Sequence, residues 1–296
     1  MKNLHGTVVA AFGRQYEVRL DDGEILLCFP RGKKSLLAVG DRLMVERTSP
    51  KQGVVVAAGP RRSLLYRSDQ FRQKLIAANV SQLILVTATE PAFSTELLSR
   101  CIAAAESQDM KVAIILNKAD LADKLPAARA MLNSFRALGY PLLEMAALEG
   151  GEHLAQVKEL LKGETSVLVG QSGMGKSTII NALIPDAAAR TREISEFLDS
   201  GKHTTTFSRL YQLDETSALI DCPGVQEFGL AHMTRGEVES GFPEFRPFLG
   251  RCRFRDCHHD REPDCAIKAA IQAGSITSER FAHFMRAVTE ASKNQS

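Results

Sequence analysis

The stretch "GQSGMGKS", Gly170 to Ser177, has the G-x-x-x-x-G-K-[ST] spacing of a loop that cradles phosphates. Glycines let such a loop turn its backbone N–H groups inward onto phosphate oxygens, and a helix opening directly after it adds the positive end of its dipole. Within this pattern Lys176 reaches the β- and γ-phosphates and the Ser177 hydroxyl meets Mg2+. Gly170, Gln171, Ser172, Gly173, Met174, Gly175 and Thr178 complete the wall of the cradle. The motif needs a strand before it and a helix after it, and "TSVLV" and "STIINALI" read that way. A Gly/Ser-rich turn with an accidental lysine is the alternative reading, and it does not require that context.

Two further stretches fit a nucleotide. "DCPG" ends the next apolar run, so Asp221 suits the carboxylate that holds Mg2+ through a water, and the Gly224 N–H suits the γ-phosphate. Between cradle and "DCPG" lies "SGKHTTTFSRLYQL", where Thr204, Thr205 and Thr206 each offer a hydroxyl to sense the γ-phosphate and Gly201 permits movement. Thr205 is carried forward as the Mg2+-side residue; threonines are also favoured in the strand that follows.

The base is chosen elsewhere. In "NKAD", the Asp120 carboxylate accepts hydrogen bonds from the N1–H and the exocyclic amine of guanine, a donor pair that adenine lacks. Asn117 braces the loop and meets the base edge, and the stem of Lys118 covers the ring. "EMAAL" sits where a second base-contacting loop belongs, with Ala146 its candidate. The clamp therefore precedes the cradle by some fifty residues of sequence, the reverse of an ordinary GTPase. Joining the old termini and cutting elsewhere keeps every contact, so the order reads as a circular permutation.

A third cluster lies near the C-terminus. "RCRFRDCHHDREPDC" offers Cys252, Cys257 and Cys265 with His258 or His259. Three thiolates and one imidazole make a closed tetrahedral Zn2+ site with no open position for chemistry, and so a structural one. Arg251, Arg253 and Arg255 around it suit phosphate contact or plain solvation.

The elements must place these groups. Of 296 residues, 44% are hydrophobic and 24% charged, which fits a globular chain of two or three domains. No apolar run spans a membrane and no secretory leader is evident, so the expected location is cytoplasmic. Residues 1–62 carry 11 Lys/Arg against 6 Asp/Glu, a balance of +5 that suits a phosphate backbone or a solvated basic surface. That part reads as short strands with a hairpin turn at Asp22–Gly23, an all-β barrel of OB-fold or SH3-like type. "GPRRSLLYRSDQFRQKLIAAN" reads as a basic connector. Apolar strands then alternate with helices, an α/β unit with a mostly parallel sheet. The expected domains are 1–62, 63–240 and 241–296.

Taken together, the motifs and their order resemble the circularly permuted GTPases of the ribosome small-subunit-dependent GTPase A family (RsgA, also called YjeQ) across nearly the whole chain. The resemblance implies an N-terminal OB-fold, a permuted P-loop GTPase domain and a C-terminal zinc-binding helical domain. It selects His259 over His258 as the fourth ligand, one structural Zn2+ per chain beside Mg2+ with GTP. It implies binding to the small ribosomal subunit and its rRNA, subunit-stimulated hydrolysis of GTP to GDP and phosphate, and a role in late maturation. A monomer is expected. The family often has Asp after "ANV"; here Ser81 stands there.

Val225 follows Gly224 where many GTPases carry the glutamine that orients water, and Gln226 is one residue out of place. His203 is similar to the family's proposed water-positioning residue, a solvated switch residue being the alternative. Two rival readings are a binding module that holds GTP without useful turnover and an RNA-modifying protein. No second catalytic constellation supports the latter.

Overall fold

The computed structural model describes residues 3–32, 37–68, 73–185, 187, 208–222, 229–230 and 232–292. The N-terminal strands are β1 (Leu4–Phe12), β2 (Gln15–Leu20), β3 (Ile25–Pro30), β4 (Arg42–Ser49) and β5 (Gln52–Ala58). Alternation sets their faces: in β2, Tyr16, Val18 and Leu20 are buried while Gln15, Glu17 and Arg19 face outward. The Asp22–Gly23 turn joins β2 to β3, with Gly23 at φ +92°. Strand order is β1-β2-β3-β5-β4, and β4 pairs back onto β1. The β3–β5 pair is parallel and its neighbours are antiparallel. This closed five-stranded order is an OB-fold and excludes the SH3-like alternative.

Four of the barrel's arginines are paired with carboxylates, which leaves its +5 balance unchanged. Arg42 binds Asp21 at 2.8 Å, Arg47 and Arg31 bind Glu24 and Glu46, and Arg61 grips the buried Asp41 at 2.7 Å.

The segment read as a connector forms a two-stranded hairpin instead, β6 (Leu64–Ser68) with β7 (Gln73–Ala78). Leu65 and Ile76 are buried and β7 bridges to the barrel at Val39↔Ala77, so apolar contact folds what basic composition had suggested was linker.

The α/β unit follows, with β8 (Gln82–Ala88), α1 (Thr95–Glu106), β9 (Lys111–Asn117), α2 (Leu125–Ala137), β10 (Leu142–Glu144), α3 (Glu152–Leu161), β11 (Thr165–Val169), α4 (Lys176–Leu183), β12 (Arg209–Gln212) and β13 (Ala218–Asp221). Its strands lie in the order β10-β9-β8-β11-β13-β12, parallel except for the antiparallel β12. Every residue of β8 is buried, as a central parallel strand requires. At its start, Ser81 donates to Glu164 at 2.6 Å and accepts from the Thr165 N–H at 2.9 Å. An Asp there would face the Glu164 carboxylate. Among the described residues the barrel meets this sheet at the Ala10↔Arg209 bridge, beside an Arg209–Glu17 ion pair of 3.3 Å.

The chain ends in α5 (Arg235–Ser240), a 3-10 turn (Pro243–Phe248), α6 (Ala266–Gln272) and α7 (Ser278–Ser292). Phe242, Phe245 and Phe284 form its core, with ring centroids 4.8 to 5.5 Å apart. Among the described residues no helix is long and apolar enough to cross a membrane.

Candidate functional site

Three motif-bearing strands run parallel and end on one edge of the sheet. Asn117 closes β9, Gly170 follows β11 and Asp221 closes β13. Only β8 separates β9 from β11, so clamp and cradle are neighbours although the sequence separates them. The carboxyl ends of parallel strands are where open α/β sheets bind ligands.

The loop after β11 is shaped by close approaches. A Cβ on Gly170 would stand 2.2 Å from the Val86 carbonyl oxygen. Gly175 has φ +92°, and a Cβ there would strike the Asn117 amide nitrogen at 2.1 Å. That nitrogen donates to the Met174 carbonyl at 2.9 Å, while Asn117 Oδ1 accepts the Ala147 N–H at 3.0 Å. Asn117 is 2% exposed and ties the "NKAD" turn, the cradle and the loop after β10 into one piece. Helix α4 has Gly175 as its N-cap and no side-chain cap, so its first N–H groups remain for an anion.

Lys176 occupies the loop it closes. Its Nζ donates to the Gly170 and Gln171 carbonyls at 2.5 and 2.7 Å. Burial pulls its pKa down, and the Asp221 carboxylate opposes that fall. Asp221 shows the converse: burial pushes its pKa up and Lys176 holds it back. Ser177 and Ser172 are exposed on the open side. Asp120 is exposed too, and among the described residues its carboxylate has no partner, as an acceptor kept for a ligand requires. Lys118, at φ +58°, sends its Nζ to the Glu90 carbonyl at 2.7 Å. Ala146 is buried and gives its N–H to His153 Nδ1 at 3.3 Å. His203, Thr204, Thr205, Thr206, Gly224, Val225 and Gln226 lie outside the described residues.

The Cys/His cluster assembles as a second site. One ligand atom from each of Cys252, Cys257, His259 and Cys265 lies within 4.8 Å of every other. His259 Nδ1 is 3.3 Å from Cys265 Sγ and 3.6 Å from Cys252 Sγ. Its Nε2 faces a Glu239 carboxylate oxygen at 3.7 Å, which orients the imidazole with Nδ1 toward the thiols. His258 is exposed, with Nδ1 2.7 Å from the Arg235 guanidinium, so geometry leaves it outside the cluster. Three thiols and an imidazole at these separations can hold a metal ion. Glu239, on α5, is a partner that residue spacing did not reveal.

Comparison with known proteins agrees with this arrangement. A family model described as RsgA GTPase matches residues 58–231. A protein named Small ribosomal subunit biogenesis GTPase RsgA, from Burkholderia pseudomallei (strain K96243), is 55% identical over 294 residues, covering 99% of this chain and 94% of that one. Its namesake from Paraburkholderia phytofirmans is 54% identical over 295 residues, covering 97% and 93%. The crystal structure of YjeQ from Thermotoga maritima superposes with a TM-score of 0.74 at 28% identity, over 98% of this chain and 99% of that one. YloQ, a circularly permuted GTPase, superposes at 0.72 and 25% identity, over 100% and 97%. The chain therefore belongs to the RsgA GTPase family, and it is a circularly permuted GTPase.

Proposed function

We propose that the chain binds the small ribosomal subunit and its rRNA, that this contact accelerates its hydrolysis of GTP to GDP and phosphate, and that it serves late maturation of that subunit. The observation that carries this reading is the near-full-length likeness, at 55% identity, to a protein named for small ribosomal subunit biogenesis. The chain acts as a cytoplasmic monomer of three units, 1–62, 63–240 and 241–296. The closed barrel ending at Ala58 and the separate aromatic core around Phe284 support that division.

In this reading Asp120 takes the guanine N1–H and amine, Asn117 holds the base loop, and the Lys118 stem covers the ring. Backbone N–H groups from Gly170 to Thr178 wrap the β-phosphate. Lys176 turns from the Gly170 and Gln171 carbonyls to the β- and γ-phosphates. Ser177, Thr205 and, through a water, Asp221 would hold Mg2+, which would supply charge to offset that building on the γ-phosphoryl oxygens. The Gly224 N–H meets the γ-phosphate. With Val225 after Gly224, intrinsic turnover is slow, and His203 orients the attacking water once the subunit fixes the switch.

His203→Ala is accordingly expected to keep GTP affinity within about twofold while subunit-stimulated turnover falls about 100-fold, the scale of a lost general-base contribution. Equal stimulated rates in the two proteins would remove His203 from the mechanism. Zn2+ fills the Cys3His cluster. Cys257→Ser is expected to release it, and Glu239→Gln to weaken retention about 10-fold, the scale of a lost orienting partner. Metal content after dialysis against a graded chelator reads both. Binding is tested by sedimenting the chain with purified small subunits in the presence of a non-hydrolysable GTP analogue. Pelleting with small subunits alone is expected, and equal recovery with large subunits would overturn the reading.

A further inference from the structure

The turn from Thr89 to Ser94 touches both halves of the nucleotide site. Its Thr89 hydroxyl donates to the Lys118 carbonyl at 2.8 Å, and its Glu90 carbonyl accepts the Lys118 ammonium at 2.7 Å. The Pro91 ring lies 3.3 Å from where a Cβ on Gly173 would stand. The Ser94 N–H donates to Gln171 Oε1 at 2.7 Å. One short segment therefore ties the base clamp to the crown of the phosphate cradle. Ser94 is also the N-cap of α1, with its hydroxyl accepting the Leu97 N–H at 3.1 Å, so the turn moves with that helix.

Helix α1 is in turn the docking surface of the C-terminal module. Arg280, 2% exposed, forks onto Glu244 at 2.5 and 3.1 Å and donates to the Ser99 hydroxyl of α1 at 2.6 Å. His283 Nδ1 lies 2.8 Å from the same hydroxyl. The guanidinium stacks over Phe242 at 4.6 Å. Around this buried centre, Thr95 binds Glu279 at 2.6 Å and Arg246 binds Glu106 at 2.6 Å. A Cβ on Gly241 would stand 2.7 Å from the Ala103 carbonyl oxygen, so the module's backbone is pressed against the helix.

We propose that the C-terminal Cys/His module is a brace for the nucleotide site: docked through Arg280 on Ser99, it fixes α1 and so holds the Thr89–Ser94 turn against Gln171, Gly173 and Lys118. Ser99, Arg280 and Gln171 are positioning residues. The module thereby sets how tightly nucleotide is retained, besides any contact it makes with a partner. The inference rests on the reading that nucleotide occupies the loop from Gly170 to Ser177.

The test is release of a fluorescent GDP analogue from the full chain without ribosomal subunits. Ser99→Ala removes the hydroxyl that Arg280 binds, and Gln171→Leu removes the acceptor of the Ser94 N–H. Each is expected to speed release about fivefold, the low end of typical coupling between sites. If both cut one chain of contacts, the double variant releases no faster than the faster single one. Glu244→Gln, which strips Arg280 of its ion pair, is the stronger perturbation, and thermal unfolding verifies that docking has weakened. Release at the wild-type rate in Ser99→Ala and Glu244→Gln, with unfolding temperatures lowered, would overturn the proposal, as would multiplied effects in the double variant. A wild-type chain that bound no guanine nucleotide would instead refute the nucleotide-site reading.

Discussion

Replacing Asp120 by Asn is expected to convert the chain from a guanine to a xanthine nucleotide binder. The Asp120 carboxylate is exposed and unpartnered among the described residues, on a turn fixed by the buried Asn117 and by the Ala119 N–H, which donates to the Met145 carbonyl at 3.0 Å. Its two oxygens match the two donors on guanine. An amide keeps one acceptor for N1–H but turns a donor toward the exocyclic amine. One hydrogen bond to a charged group is lost, at about 1.5–3 kcal/mol, and the other becomes a weaker neutral one, so GTP affinity falls at least about 10- to 10²-fold. Xanthine carries a carbonyl in place of the amine and so accepts from the new amide. Titrations with GTP and XTP measure the exchange. A GTP dissociation constant within threefold of wild type would remove Asp120 from the base site.

Lys176→Ala should cost more in turnover than in folding. Among the described residues its ammonium bonds two loop carbonyls, Gly170 and Gln171, and both can be hydrated on the open side of the cradle. It is the one side-chain cation of the loop between Gly170 and Ser177, and in the proposed nucleotide complex it meets the charge that builds on the γ-phosphoryl. Loss of such a preorganised group lowers kcat by about 10²- to 10³-fold. Arginine is not expected to restore activity, because a planar fork cannot replace a compact ammonium in a half-buried loop. The variant also removes the charge that holds the Asp221 pKa down, so that pKa should rise further. Single-turnover hydrolysis gives the rate, and a loss of less than threefold would contradict the assignment.

The motifs were legible because each is contiguous and its chemistry is carried by residue types at fixed spacing. The parallel strands beneath them were legible as apolar runs, and β8 is buried throughout. The hairpin of β6 and β7 was not: Leu65 and Ile76 are its buried anchors, within a segment whose arginines and lysine suggested solvent. Spacing alone offered both His258 and His259. Backbone decides between them, since His259 takes φ +62° and points Nδ1 at the thiols while His258 faces Arg235. Least legible was the Ser99–Arg280 contact, whose partners are 181 residues apart and show no periodic signal. The barrel's positive balance was visible as composition, but which of its arginines pair with Asp21, Glu24, Asp41 and Glu46 belongs to tertiary structure.

In the proposed function, a guanine-specific, permuted P-loop site is switched on by the small ribosomal subunit. Hydrolysis of GTP and ATP, each with and without purified small subunits, tests it most directly. The expected result is slow GTP turnover alone, strong acceleration by small subunits and no ATP turnover in either case. Equal use of ATP, or a GTP rate indifferent to the subunit, would contradict it.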